Sequence, residues 1–476
     1  MAAAGASGGA GPYIRPGPVS ALMSGVVIKT GIYGLLRLIS WLPNLPAGCA
    51  IGLMVVSVAT GVLGILYALG QQQIKRMLAY SSVENMGVIG LGISVALLGR
   101  SLQQPLLIVF GLGGALFHVL NHSLFKGLLF LSAGAVLHDT GTGDIERLGG
   151  LARRSPVNSL AFLVGAVAIC ALPPLNGFVS EYVIYTGLLQ GLLKTPNLYA
   201  GLLASSTAAL ALVGGLALAA FSKVFGVVFL GSPRDCTVTV HATPRTMNAG
   251  MLLLALCCVA VAAFAGAIVP ALGAAIGAVM PAASAQLNEI HEAVTFTTRL
   301  ALPFGVLMAI GFALYLLRRR TARGAVADQN TGTWGCGYAF PSPSMQYTGS
   351  SYGWKLVHSF RQIIRPERAA PRIAGFFPEP ARLDTATPDL ALNRVYTPSF
   401  KWMARAFERL WPLQQGRIQL YLAYIVITVL VVFLFEAWPF SFTSQSSDGR
   451  AVAVTNAPNA SHGADSSVSE PKGRHP

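Results

Sequence analysis

The stretch His118–Lys126, HVLNHSLFK, stands inside an apolar run covering residues 105–138. Its three proton-binding side chains, His118, His122 and Lys126, recur at i, i+4 and i+8. On an α-helix each four-residue step turns by about 40°, so they form one slanted stripe with neighbours about 6 Å apart. Ionisable groups inside a lipid-spanning segment are expensive and by default mark an ion or proton path. Histidine titrates near neutrality, so such a row can load and release protons at modest cost. A lone histidine would read equally well as a hydrogen-bonded core residue; three in register favour the relay.

Composition agrees that lipid is the solvent. The chain has 476 residues, 53% hydrophobic and 11% charged, with a mean hydropathy of +0.59. Soluble domains carry about a quarter charged residues. The formal net charge of +15 does not indicate nucleic acid, because Lys and Arg lie between apolar runs rather than in one patch. Anionic headgroups and membrane orientation account for them. The six cysteines (Cys49, Cys170, Cys236, Cys257, Cys258 and Cys336) show no CxxC pair or His spacing, so neither a metal site nor a disulfide framework is expected. The N-terminal MAAAGASGGAGPYIRPGPVS lacks the basic start and apolar core of a signal peptide.

Nine apolar segments are expected, at about 19–41, 47–69, 74–98, 105–138, 157–192, 199–230, 248–273, 299–317 and 418–438. Two look too long and too broken for plain spans. One is 105–138, which carries Gly111–Gly114 (GLGG). The other is 157–192, where CALPPLNGF sets Pro173 and Pro174 mid-membrane. Proline removes a donor and clashes with the preceding turn, so two half-helices are expected there. Broken backbone at membrane depth persists only where it is buried or lines a polar cavity; a simple packing kink is the alternative.

With the N-terminus placed in the cytoplasm, Lys75, Arg76, Arg147, Arg153, Arg154, Arg234, Arg245 and the run Arg318–Arg323 all fall inside. The outer loops hold little beyond Arg100, Lys194 and Arg299.

Further ionisable residues fall in the spans. Lys29, in VVIKTGIYG, is too deep to snorkel comfortably; it is a relay member or a structural partner to a carboxylate. Glu181, just after the proline break, faces a cavity or the outer water. Lys223 lies within snorkelling reach of the inner interface. Glu84 lies near the start of its segment, where an interfacial place is open to it.

The stretches PVSALMSGVVIKTGIYGLLRL, QQQIKRMLAYSSVENMGVIGLG, LFHVLNHSLFKGLLFLSAGAV and ALPPLNGFVSEYVIY together resemble the antiporter-like subunits of respiratory complex I, multisubunit cation/proton antiporters and membrane-bound nickel-iron hydrogenases. FSKVFGVVFLGSPR, TWGCGYAFPSPSMQYTGSSY and GRIQLYLAYI resemble the hydrogenase-4 and formate-hydrogenlyase branch. The resemblance implies an all-α polytopic membrane protein, the C-terminal part of a fold of two inverted five-helix repeats, each with a broken helix. It implies a proton pathway in which Lys29 ends the first repeat, His118, His122 and Lys126 form the central relay of the second, and Glu181 stands where protons leave. Lys223 joins this pathway as a candidate; no catalytic, cofactor or metal residue is expected in the chain.

Nickel-iron and iron–sulfur centres are expected in partner subunits: other membrane subunits and a peripheral redox arm. The location implied is the inner (plasma) membrane. Family members carry seven further helices before PVSAL, so a fragment, a mis-called start or half of a split gene is expected. The organisation expected is a flexible N-terminus (1–18), a membrane domain (19–317), a cytoplasmic loop (318–417), a last transmembrane helix (418–438) and a disordered tail (439–476).

Overall fold

The computed structural model describes residues 16–42, 44–195, 197–281, 286–321, 345–369, 384–409 and 416–437. The tail from 439, most of the 1–18 start, Cys336 and TWGCGYAFPSPS lie outside them. The chain divides into two compact units, 1–402 and 403–476.

In the first unit, α1 (Gly17–Leu22) passes through a wide π-turn (Met23–Val27) into α2 (Lys29–Trp41). Then come α3 (Ala47–Gly70), α4 (Ile74–Ser101), α5 (Pro105–Thr140), a short α6 (Leu151–Arg154), α7 (Pro156–Ile169), α8 (Asn176–Lys194) and α9 (Asn197–Val224), which ends in a second π-turn. They are followed by α10 (Arg245–Ala263), α11 (Ala265–Val279), α12 (Leu287–Thr321), α13 (Gly349–Ser359), α14 (Arg361–Ile364), a small antiparallel pair β1 (Glu367–Ala369) and β2 (Asp384–Ala386), and a third π-turn leading into α15 (Thr397–Glu408). The second unit holds the end of α15 and α16 (Ile418–Ala437). Among the described residues eight helices are long and apolar enough to cross a membrane. The ninth expected segment, 157–192, is supplied by the shorter α7 and α8.

Helix boundaries follow local chemistry. Proline opens α5 and α7 at positions whose N–H would be unpaired anyway. Gly141, at φ 69°, stops α5 by returning its N–H to Leu137 O. Between α7 and α8, Pro173 and Pro174 supply no donors and the helix opens as expected. The two halves then overlap so closely that a Cβ on Gly177 would lie 1.8 Å from Ala168 O.

Segment 105–138 is a correction. It is not broken: α5 is one helix of 36 residues, about 54 Å at 1.5 Å per residue and so longer than the hydrocarbon layer. Its glycines serve close packing instead, Gly111 against Gly92 and Ala96 of α4, and Gly114 against Ile184 of α8. Segment 248–273 also differs, because the helix stops at Phe264 and restarts as α11.

The buried centre is α4 and α5, wrapped by α3, α7, α8 and α9. The connections after α3, α5 and α9 meet on one face: Ile145 N–H bonds Gln72 O, Ile74 N–H bonds Gly143 O, Gly150 N–H bonds Leu230 O and His241 N–H bonds Asp139 O. Lys75 and Arg76 at the start of α4, Arg147, Arg153 and Arg154 after α5, and Arg234 and Arg245 after α9 lie at these connections, whereas Arg100 sits at the opposite end, bonding Ile39 O and Leu42 O. At this loop face Asp235 pairs with Arg147 at 2.8 Å. Hydrogen bonds from the Thr237 side chain and backbone, then from Arg147, hold its carboxyl down at about 2. Arg234 ties the face together through Leu148 O, Val227 O and Tyr347 O.

Helices α3 and α4 cross closely on glycine. A Cβ on Gly87 would lie 2.4 Å from Gly61 N, and one on Gly64 2.5 Å from Glu84 N. Gly87→Leu is expected to push these helices apart at a cost of about 1–3 kcal/mol or more, read as a lower melting temperature in detergent. Gly52→Ala, where a Cβ meets nothing within 4 Å, is expected to leave that temperature unchanged.

Candidate functional site

The stripe on α5 is buried: His118 is 1% exposed, His122 and Lys126 0%. No hydrogen bond joins its members. The 40° drift per step carries each to a different partner. His118 Nδ1 meets Ser180 Oγ of α8 at 3.0 Å, and its Nε2 meets Asn85 Oδ1 of α4 at 3.0 Å. Lys29 Nζ lies 2.6 Å from His122 Nδ1. Lys126 Nζ donates to Ser81 Oγ at 2.5 Å and to Leu78 O at 2.9 Å. The rings of His118 and His122 are 6.4 Å apart, with Phe125 edge-on to both.

Lys29 reaches the site because of the π-turn before it. The extra residue per turn re-aims the start of α2, and Lys29 Nζ also donates to Ser24 O within that turn, at 2.5 Å. Ser24 in turn bonds Ser82 of α4 at 2.7 Å. His122 Nε2 is buried and has no hydrogen-bond partner among the described residues.

Glu84 changes most between sequence and structure. It is not interfacial but 2% exposed, well inside the 28-residue α4, where Asn85 Nδ2 donates to its Oε2 at 2.5 Å. Asn85 also donates to Ser81 O at 2.8 Å, so one amide links Glu84, the Lys126 turn and His118. On the other side Asn121 Nδ2 donates to Asn176 O at 2.7 Å and to Ser180 Oγ at 2.9 Å, and Asn176 returns a bond to Asn121 Oδ1. Sequence reading passed over these neutral polar residues. The signals were SSVEN (Ser81–Asn85), Asn121 within HVLNHS, and Asn176 and Ser180 flanking the break.

Glu181 is 8% exposed and follows Ser180 in the first turns of α8. Lys223 is not brought to the group. The residue is 1% exposed, and its Nζ donates to Leu69 O at 2.6 Å and to Gln71 O at 2.8 Å, capping the loop-face end of α3. Lysine near a helix C-terminus satisfies carbonyls that have no intrahelical partner.

No ion pair joins the site's carboxylates to its amines; among the described residues the pairs are His138–Asp139 and Arg147–Asp235. Lys29 and Lys126 are held by neutral oxygen or nitrogen atoms instead. A charge held this way can leave as a proton without breaking a salt bridge whose remaining half would be stranded in low dielectric. Among the described residues no group of three or more His, Cys, Asp or Glu converges as a metal site.

Residues 13–211 match the family model described as NADH:quinone oxidoreductase/Mrp antiporter, TM. Hydrogenase-4 component B of Escherichia coli (strain K12) is 38% identical over 438 residues, covering 88% of this chain and 64% of that protein. Formate hydrogenlyase subunit 3 of the same organism is 39% identical over 353 residues, covering 73% and 56%. An uncharacterized protein of Mycobacterium tuberculosis (strain ATCC 25618 / H37Rv) is 32% identical over 428 residues, covering 88% and 67%. The chain thus spans 64% and 56% of the length of the first two relatives. The buried α5 stripe and the break after α7 lie within the matched residues, and the chain belongs to the family of NADH:quinone oxidoreductase and Mrp antiporter transmembrane subunits.

Proposed function

We propose that the chain is a proton-translocating membrane subunit of a hydrogenase-4, formate-hydrogenlyase or complex-I-like assembly. Electron transfer would take place in a peripheral arm and partner subunits that bear nickel-iron and iron–sulfur centres. The observation that carries this reading is the set of four ionisable groups buried in the helix core (Glu84, His118, His122 and Lys126), with the half-buried Lys29 reaching in to His122, all held by neutral partners.

The atoms suggest a route. Lys29 Nζ faces His122 Nδ1, so an ammonium proton can pass to the imidazole at one nitrogen and leave from the other, Nε2. The 6.4 Å ring separation suits a step through a single water towards His118. From His118 the bonds branch to Asn85 and Glu84, and to Ser180 beside Glu181. Lys126 of α5, bonded to the α4 turn that carries Leu78 and Ser81, is the central carrier. Glu181 is the release group. Lys223 takes an anchoring role at the end of α3, outside the route.

We further infer that the loop face, with its gathered Lys and Arg, is cytoplasmic and that the membrane is the inner (plasma) membrane. Gly17 packs on Gly134, near the loop-face end of α5, which sets the start of α1 on the same side. A second reading, a cation/proton antiporter subunit without redox partners, is favoured by the family description, which names both activities. The buried groups serve either equally.

In the assembled complex, Lys126→Met is expected to lower proton flux by about tenfold or more, equivalent to about 1.4 kcal/mol on one barrier. Unchanged flux in a complex that assembles normally would sink the proposal. Flux that persists in sealed vesicles without electron donor, driven by a cation gradient, would favour the antiporter reading. Lys223→Met is expected to reduce the amount of assembled protein while what assembles keeps its flux. Cys236 is exposed at the loop face, so an impermeant maleimide should reach it in inside-out vesicles and not in right-side-out ones.

A further inference from the structure

His118 is bonded at both ring nitrogens, and the identity of each partner limits where its protons sit. Asn85 Nδ2 donates to Ser81 O at 2.8 Å and to Glu84 Oε2 at 2.5 Å. Two oxygen acceptors fix the amide's orientation, so Oδ1 is the atom facing His118 Nε2. A carbonyl-type oxygen accepts only, and Nε2 therefore carries a hydrogen.

The other nitrogen faces a group with two options. Asn121 Nδ2 also bonds Asn176 O, a carbonyl, so its orientation is fixed as well and it donates to Ser180 Oγ. The single Ser180 hydrogen remains, within reach of His118 Nδ1 at 3.0 Å and of Gly177 O at 3.1 Å. It cannot serve both. With a neutral imidazole, Nδ1 is an acceptor and the hydroxyl points to it. With a charged imidazole, Nδ1–H donates to Oγ and the hydroxyl turns to Gly177 O. The ring gains the proton that His122 releases through the bridging water of the proposed route, while the hydroxyl keeps its own hydrogen and only rotates.

Gly177 O is not a neutral bystander. It opens α8, and the helical i to i+4 pattern gives this carbonyl to the amide of Glu181. The same residue is pressed against Ala168 O across the break. We propose that Ser180 is a positioning residue whose hydroxyl reads the charge of His118 and reports it to the carbonyl that holds Glu181. It acts through His118 rather than by carrying the proton itself. The inference rests on the proton-carrying reading above and deepens it.

The groups facing His118 are Glu84 through Asn85 on α4, His122 and Lys126 on α5 with Lys29 behind His122, and Glu181 on α8. None of them contacts Nδ1, so the Ser180 hydroxyl is the atom that changes role when the ring is loaded.

Solid-state NMR on the full chain in lipid tests this directly. With 15N-labelled histidine, and His118→Gln as the assignment control, neutral His118 should carry its hydrogen on Nε2. Finding it on Nδ1 overturns the proposal without any Ser180 variant. Pairing 13C-carbonyl glycine with 15N-phenylalanine leaves three carbonyl signals, those of Gly177, Gly311 and Gly375, and Phe178→Leu, which removes the Gly177 pair, assigns them. The Gly177 carbonyl signal should move with the same midpoint as His118. Ser180→Ala should abolish that movement, and Ser180→Thr, which keeps a hydroxyl, should retain it.

A Gly177 signal that ignores His118 titration refutes the coupling. In the assembled complex Ser180→Ala should slow proton flux by about tenfold and change its pH profile. If His118→Gln stops flux but Ser180→Ala alters neither rate nor profile, the Ser180 role falls and the proton-carrying reading stands. If His118→Gln leaves flux intact, that reading falls instead.

Discussion

A charge buried among helices must find hydrogen bonds without finding a counter-charge if it is to remain exchangeable. Unpaired, it would cost several kcal/mol; locked in an ion pair, it would be hard to discharge. The chain resolves this with neutral atoms. Ser81 and Leu78 hold Lys126, Ser24 and His122 hold Lys29, and Asn85 holds Glu84. Much of the architecture follows from bringing those atoms close. Glycines let α3 and α5 press onto α4, the π-turn swings Lys29 inward, and the proline break exposes the first turn of α8 beside His118.

Much of this was legible in the sequence. The apolar runs and the Pro173–Pro174 break gave the helices, because lipid leaves backbone few choices. The stripe on α5 was legible for the same reason, since ionisable residues stand out against an apolar background. Gly111–Gly114 misled, because glycine both weakens a helix and lets one approach its neighbour, and sequence alone does not show which use prevails. Packing of α5 on α4 and α8 decided for approach. Glu84 was underweighted because its distance from the segment start suggested an interface, whereas the whole of α4 is enclosed by α3 and α5.

The partners of the stripe were the least legible part. Serines and asparagines are cheap enough in a span to pass as packing, and their value here lies in direction: Asn85 presents oxygen to His118 only because its nitrogen is already committed. Lys223 shows the converse. The sequence set it within snorkelling reach of the inner interface, whereas the structure buries it on two carbonyls at the end of α3.

The loop face is closed in part by residues from far along the chain. Tyr80 donates to Asp389, Tyr67 accepts from Leu390 N–H, Gln71 and Gln72 bond Thr387, Thr385 and Ser350, and Ser350 bonds Glu146. Synthesis runs from the N-terminus, so α4, α5 and α9 leave the ribosome long before these covering residues exist. The loop-side ends of α3 and α4, with Lys223 on the end of α3, lack these partners while translation continues. Biogenesis therefore has an order written into it, with the charged interior assembled first and its lid fitted last.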